Sequence, residues 1–158
     1  MAPRIDRFEL FADYFQLYLE DDARRADPDI DWDAAVERML AAGDGFVMIG
    51  TVRNTTVPLT VEVAPAEPAA DLDGWDHVAE CGLAVPSGRI VVSGCTDYRP
   101  DAARIAVAPG EYRVRVSYGG LNTLSEDGLD GQDHYRAQLW PAPLAELRVL
   151  KRRPQDGS

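Results

Sequence analysis

The sequence predicts a mainly β protein, an antiparallel two-sheet β-sandwich that carries one short α-helix at about residues 31–42. Eight or nine short β-rich runs, separated by frequent turn signals, indicate two packed sheets. The regular alternation of strands and helices that is typical of a parallel α/β fold is missing. A chain of 158 residues is the size of one domain. We therefore expect residues 1–151 to form a single β-sandwich domain and residues 152–158 to form a disordered tail.

The first predicted strand covers residues 8–19, where apolar and polar side chains alternate in part. Phe15, Leu17 and Leu19 fall on one face of this strand. We expect a bend near residues 12–13, where the alternation is interrupted.

The helix is predicted from its cap and from its apolar spacing. The carboxylate of Asp31 can accept hydrogen bonds from the free N–H groups of the first turn, and Asp33 adds negative charge where the helix dipole favours it. Gly43 is a suitable stop, because glycine tolerates the left-handed conformation. One apolar stripe has helical spacing and consists of Trp32, Ala35, Val36, Met39 and Leu40.

The remaining strands follow in short runs, with polar loops at 20–29, 64–74 and 119–132. The turn signal at residues 86–88 predicts that the strands on either side of it form a hairpin. The predicted strands are 46–52, 57–63, 77–85, 89–94, 104–107, 111–118, 134–140 and 147–151.

The net charge is −11, and it is unevenly distributed. Residues 1–80 carry 18 acidic and 6 basic side chains, whereas residues 81–158 carry 9 acidic and 10 basic ones. An acidic surface repels phosphate backbones, so we do not expect direct binding to nucleic acid. The negative charge suits a basic protein partner, such as a nuclease with a basic substrate groove. The alternative is that the charge only keeps the protein in solution.

The N-terminal region has no secretory signal. Residues 1–10 contain four charged side chains and no apolar core segment. No apolar run approaches the roughly 20 residues that are needed to cross a bilayer. We therefore expect a cytoplasmic protein that does not insert into membranes.

Cys81 and Cys95 are the two cysteines. A hairpin turning at residues 86–88 would place them roughly opposite each other, within reach of a disulfide. Because a cytosolic compartment keeps thiols reduced, two free thiols are the favoured interpretation and a disulfide is the alternative.

Motifs for catalysis are missing. The nucleophile elbow, the zinc-protease helix motif and the phosphate-binding loop do not occur. His77 and His134 are the two histidines, and Asp133-His134 is the local acid–base pair that would be worth mutating. We therefore expect a protein that binds and does not catalyse, without a cofactor.

The most distinctive segment is the acidic loop, residues 119–133. It carries Glu126, Asp127, Asp130 and Asp133 among several glycines. Calcium prefers six to eight oxygen ligands, so Asp127, Asp130 and Asp133 are candidate ligands, although their spacing does not match an EF-hand. The alternatives are a solvated acidic loop and a loop that recognises a partner.

Arg53 and Asn54 lie between two β-rich runs. Asn54 tolerates turn conformations, and Arg53 can pair with one of the many acids, so these residues are either a hairpin turn or part of a binding site. The candidate binding residues are Arg53, Asn54, Glu126, Asp127, Asp130, Asp133 and His134.

Several short motifs occur in an order that resembles the competence protein J family, whose known member inhibits the DNA-entry nuclease. The resemblance implies a small β-rich inhibitor that binds a nuclease by protein–protein contact, and the acidic first half would suit the basic groove of such a partner. The similar residues are Asp13-Tyr14-Phe15-Gln16-Leu17-Tyr18, Trp32, Ala35, Glu37, Ala41-Ala42, Asp44-Gly45, Arg53-Asn54 and Pro109-Gly110-Glu111-Tyr112.

Overall fold

The computed structural model describes residues 3–24 and 30–153. Within these ranges the chain forms eleven strands, one α-helix and three 3-10 helices. The helices are α1 (Trp32–Arg38) and the 3-10 turns Asp13–Phe15, Leu72–Gly74 and Arg99–Asp101. None of the described helices is both long and apolar enough to cross a membrane. The strands are β1 (Arg4–Phe11), β2 (Gln16–Asp21), β3 (Leu40–Gly43), β4 (Phe46–Gly50), β5 (Thr56–Val63), β6 (His77–Val85), β7 (Arg89–Gly94), β8 (Ala103–Ala106), β9 (Gly110–Gly119), β10 (His134–Pro141) and β11 (Arg148–Lys151).

The strands form two packed sheets, so the predicted mainly β sandwich with one helix is confirmed. The six-stranded sheet has the order β1-β5-β10-β9-β6-β11, and the five-stranded sheet has the order β3-β4-β2-β7-β8. One pair departs from the expected antiparallel arrangement. β10 runs parallel to β5, with Tyr135 opposite Leu59. A parallel pair needs a long crossover, and here the intervening chain contributes strands to both sheets.

The core lies between the sheets and takes alternate residues from each strand. In β5 the side chains of Val57, Leu59 and Val61 are fully buried, and in β9 so are those of Val114 and Val116. Burying one such side chain contributes about 1.5–3 kcal/mol. A register slip of one residue would turn these side chains away from the core, so this burial fixes the register.

The helix begins as predicted but ends earlier. The Asp31 carboxylate accepts a hydrogen bond of 3.3 Å from the first turn, which confirms the cap. The predicted range 31–42 is wrong at its C-terminal end, because Met39 takes a left-handed conformation (φ 57°, ψ 22°) and ends α1 there. Leu40 then starts β3 and pairs with β4. The apolar spacing of Met39 and Leu40 fitted a helix and a strand equally well.

The predicted strand at 8–19 is two strands in different sheets. The chain leaves the six-stranded sheet at the end of β1, turns through Asp13–Phe15 and enters the five-stranded sheet as β2. The break falls at the expected bend. Leu17 and Leu19 are fully buried as their pattern predicts, but Phe15 is about half exposed (49%).

The predicted hairpin around residues 86–88 is wrong. The chain does reverse there, with Gly88 in the left-handed region (φ 74°), but β6 belongs to one sheet and β7 to the other. Cys81 and Cys95 are consequently free thiols, the first buried in the core and the second partly exposed. Burial raises the pKa of Cys81 to about 12, which keeps that thiol protonated.

The last described residues pack beside α1. The backbone N–H of Arg153 donates to Nδ1 of His77 at 3.1 Å, and Nη1 of Arg152 lies 3.0 Å from Oε1 of Glu37. The predicted tail at 152–158 therefore begins with two residues that contact the domain, while positions 154–158 lie outside the described residues.

Candidate binding surface

Two of the predicted site residues meet in a buried network at the base of the acidic loop. Nε of Arg53 donates to Oδ1 of Asp133, whose side chain is completely buried. The Tyr135 hydroxyl donates to Oδ2 of Asp133 at 2.5 Å and accepts from the backbone N–H of Val52 at 3.0 Å. Burial and this bond to Asp133 raise the pKa of Tyr135. The network fastens the acidic loop to the turn between β4 and β5.

The acidic loop closes on itself above this network. Gly120 has φ 65°, and a side chain there would collide with the backbone of Gln132. Oδ1 of Asp127 accepts from the Ser125 hydroxyl at 2.6 Å and from the Leu129 N–H at 3.0 Å. The Ser125 bond is the main cause of a lowered Asp127 pKa. Asp127 therefore organises its own turn.

The three candidate calcium ligands are not gathered into one ligand set. Both carboxylate oxygens of Asp133 are engaged by Arg53 and Tyr135. Asp127 accepts bonds within its own turn, and Asp130 is exposed. Over residues 3–24 and 30–153, no group of three or more His, Cys, Asp or Glu side chains is arranged to hold a metal ion.

The Asp133-His134 pair is not assembled as an acid–base pair. Asp133 points into the buried network, whereas His134 is exposed and its Nδ1 lies 3.0 Å from the carbonyl of Gln132. The His134 ring packs against Trp75, with 5.2 Å between the centroids. Neighbours on a strand point to opposite faces, which is why these two side chains separate.

The remaining candidates lie at the surface. Asn54 is exposed in the turn before β5, and Glu126 is exposed in the acidic loop. The Thr51 hydroxyl donates to the carbonyl of Arg53 at 2.9 Å, which closes the turn. The side chains of Asn54 and Glu126 therefore belong to hydrogen-bonded segments, the β4–β5 turn and the acidic loop, which the Arg53–Asp133 pair joins.

An apolar groove of about 600 Å³, which no sequence pattern predicted, lies next to this network. Val52 and Leu121 connect the groove to the turn and to the acidic loop. Large side chains that line it are exposed, including Tyr14 (67%), Trp32 (48%) and Val36 (74%). A cluster of exposed apolar side chains of this kind is typical of an interaction site. We call it the aromatic groove, and its main lining residues are Tyr14, Phe15, Trp32, Val36, Met39, Leu121 and Leu124.

The backbone beneath the aromatic groove is strained. Tyr14 (φ 57°), Phe15 (φ 61°) and Met39 (φ 57°) are the non-glycine residues with positive φ in the described chain, and all three line the groove. The left-handed conformation costs such residues about 1–2 kcal/mol each, and strain of this kind clusters at functional sites.

Local hydrogen bonds hold this conformation in place. The carbonyl of Phe15 accepts from the N–H of Thr51 at 3.0 Å, and the carbonyl of Met39 accepts from the N–H of Gly50 at 2.9 Å. The buried Tyr118 hydroxyl also donates to the Met39 carbonyl. The backbone that carries the exposed aromatic side chains is therefore fixed before a partner binds, so binding costs little conformational entropy.

Two solved structures have the same overall arrangement. One is ComJ, inhibitor of the DNA degrading activity of NucA, from Bacillus subtilis, with a TM-score of 0.69 over 90% of this chain and 100% of that chain, at 17% identity. The chain has a ComJ-like fold. The other is the protein of crocagin biosynthetic gene J, with a TM-score of 0.64, the same coverage and 17% identity. No protein-family model matches the sequence, and no curated protein matches it significantly.

The likeness at 17% identity concerns the fold. On the ComJ-like fold of this chain, the aromatic groove is formed where the turn between β1 and β2 meets α1 and the start of the acidic loop. These three segments are far apart in the sequence, and the two-sheet packing brings them together.

The groove is not apparent from the sequence because its side chains resemble core residues. Tyr14 and Phe15 fell within a predicted strand, and Trp32 and Val36 belonged to the apolar stripe of the predicted helix. In the structure Ala35, Met39 and Leu40 of that stripe are buried, whereas Trp32 and Val36 are left exposed. No local sequence signal separates these exposed side chains from core residues, because α1 is shorter than its apolar spacing predicts.

Proposed function

We propose that this chain is an inhibitor module that binds a partner protein and acts by contact, without catalysis of its own. The observation that supports this most directly is the aromatic groove with its strained, fixed backbone and exposed aromatic side chains. Rigid aromatic anchors in a concave apolar surface are the usual source of binding energy in protein interfaces.

The expected partner has an apolar projection surrounded by basic side chains. The groove offers an apolar surface with Arg153 among its lining residues. α1 presents the exposed Asp33, and the acidic loop presents the exposed Glu126 and Asp130. The net charge of −11 adds long-range attraction for a basic protein. A nuclease, whose DNA groove is basic, has this chemistry, and the likeness to ComJ supports the same choice.

Two terms contribute to binding in this proposal, and they respond differently to salt. Attraction between the acidic surface and a basic partner is screened within about 8–10 Å at 0.1–0.15 M salt, so it mainly sets the association rate. Contacts in the aromatic groove are apolar and set the dissociation rate. High salt should therefore weaken binding, whereas a groove variant should weaken it at every salt concentration.

The test is a pull-down with the tagged chain from extract of its native cells, at low and at high salt. Trp32→Ala is compared with Tyr98→Ala, since Tyr98 is 71% exposed and does not line the groove. We expect one basic protein in stoichiometric amount, captured by the Tyr98 variant and lost with the Trp32 variant. A central aromatic anchor typically contributes at least about 2 kcal/mol, roughly a 30-fold change in affinity.

The recovered protein is then assayed for DNA degradation with and without the chain. Inhibition by wild type but not by the Trp32 variant supports the proposal. Equal capture by the two variants would refute the groove as the contact surface. A captured protein whose activity is unchanged would refute inhibition.

A further inference from the structure

β1 presents a long free edge of the six-stranded sheet. It pairs with β5 along all eight residues without a register shift, and in the part of the chain that the structure describes no strand pairs with its other side. The other sheet edges are shorter, since β3, β8 and β11 have four residues each. Proteins usually protect a long edge with a bulge, a proline or an inward-pointing charge, because its free N–H and C=O groups invite another strand. β1 has neither a bulge nor a proline, and the charged side chains on the face of Phe8, those of Arg4 and Asp6, pair with each other at 2.9 Å.

The outer face of β1 carries an alternating set of exposed side chains. Ile5 and Phe11 are each 45% exposed. The exposed side chains of Arg7 and Glu9 lie between them, and among the described residues these two side chains have no hydrogen-bond or ion-pair partner. On the inner face Phe8 packs against the core. The outer face is therefore both apolar at its ends and charged, with opposite signs, in its middle.

The outward-facing side chains of β1 match those of β1 in a second copy of the chain when the two strands pair antiparallel in one particular register. Two antiparallel strands related by a two-fold axis keep the same face outward, so each residue must oppose a residue of the same face. With the axis at Phe8, Arg7 of one copy faces Glu9 of the other, and Ile5 faces Phe11. Both contacts occur twice. Cross-strand pairs of opposite charge, and of aromatic with β-branched side chains, are the favourable ones.

The neighbouring registers lack this match. An axis at Arg7 places two arginines opposite each other, and an axis at Glu9 places two glutamates opposite each other. Like charges directly opposite are destabilising. The sequence of β1 thus favours one register over its neighbours, as a specific interface requires.

We propose that two copies of this chain associate through β1, antiparallel and centred on Phe8, so that the six-stranded sheets join into one continuous sheet. No residue of β1 lines the aromatic groove. The dimer therefore carries two grooves, and its formation is independent of the function proposed above.

The test is the mass in solution as a function of concentration, by analytical ultracentrifugation. The wild-type chain is expected to reach twice its 17.3 kDa mass. Arg7→Glu and Glu9→Arg each put like charges opposite each other twice. Each is expected to raise the dissociation constant by about tenfold to a hundredfold. Both side chains are exposed, so circular dichroism and thermal melts should match wild type.

An equimolar mixture of the two single variants tests directly whether position 7 of one copy faces position 9 of the other. The carboxylates of one variant then face the guanidinium groups of the other, so an equimolar mixture is expected to recover the dimer. The double variant R7E/E9R should recover it alone. A monomeric wild type at all concentrations, single variants that dimerise as wild type does, or a mixture that stays monomeric would each overturn the proposal.

Discussion

Replacing Arg53 with methionine should destabilise the domain strongly, because it leaves the Asp133 carboxylate buried without its cation. The Asp133 side chain is completely buried and Arg53 is 12% exposed, so solvent screens the pair weakly. Removing one partner of such a pair costs about 3–5 kcal/mol. A domain whose free energy of unfolding is near the middle of the usual range, about 10 kcal/mol, would remain folded under native conditions.

Urea denaturation measures this loss. With a slope of about 2 kcal/mol per molar urea, the unfolding midpoint of Arg53→Met should fall by about 1.5–2.5 M. The matched control is Arg152→Met. Arg152 also pairs with an acid, Glu37, but the two side chains are 55% and 65% exposed. An exposed pair contributes at most about 1 kcal/mol, so this midpoint should move by less than about 0.5 M.

A double variant separates the charge from the packing. In Arg53→Met/Asp133→Asn the buried group is neutral and can still accept from the Tyr135 hydroxyl. We expect the double variant to regain about 1–3 kcal/mol relative to Arg53→Met alone. If the Arg53 variant unfolds at the same urea concentration as the Arg152 control, or if the double variant is the less stable one, the pair does not fasten the acidic loop as we infer.

Two further outcomes follow from the buried histidine and the strained turn. Nε2 of His77 lies 2.7 Å from the Arg38 carbonyl, and Nδ1 accepts from Arg153, so the ring is neutral, and burial lowers its pKa. The unfolded chain therefore takes up a proton first, and the free energy of unfolding should fall as the pH drops below about 6.5. Urea midpoints across that range test this, and a variant without His77 should show a shallower slope. Tyr14→Gly should raise the free energy of unfolding by about 1 kcal/mol, because it relieves the left-handed strain, and should weaken partner capture. Lower thermal stability or unchanged capture would contradict that expectation.

The sequence predicted the strands well where alternation was strong. β9 and β10 lie close to their predicted ranges because apolar and polar side chains alternate along both strands. The C-terminal end of α1 was wrong because Met39 ends the helix in a conformation that usually belongs to glycine. The expected hairpin at 86–88 was wrong because turn residues predict a reversal but do not predict which sheet the next strand joins.

The sequence predicted some residues of the candidate site, but neither their contacts nor the aromatic groove. Arg53 and Asp133 were both candidates, but they are 80 residues apart, and no local pattern showed that they would meet. The aromatic groove was missed because exposure is decided by tertiary packing. Trp32 and Val36 have the same apolar character as core residues, and only the position of α1 on the sandwich leaves them at the surface.

The strand order of the six-stranded sheet has a consequence for the synthesis of the chain. β5 is complete at residue 63, but its neighbour β10 begins at residue 134. At roughly 5–20 residues per second, a ribosome needs about 4–14 s to make the chain between them. During that interval β5 has no partner on that side, and its apolar face is without much of its final cover. The apolar face of β5 is therefore exposed for several seconds during synthesis. In that period it can contact chaperones or the nascent chains that other ribosomes are making on the same mRNA.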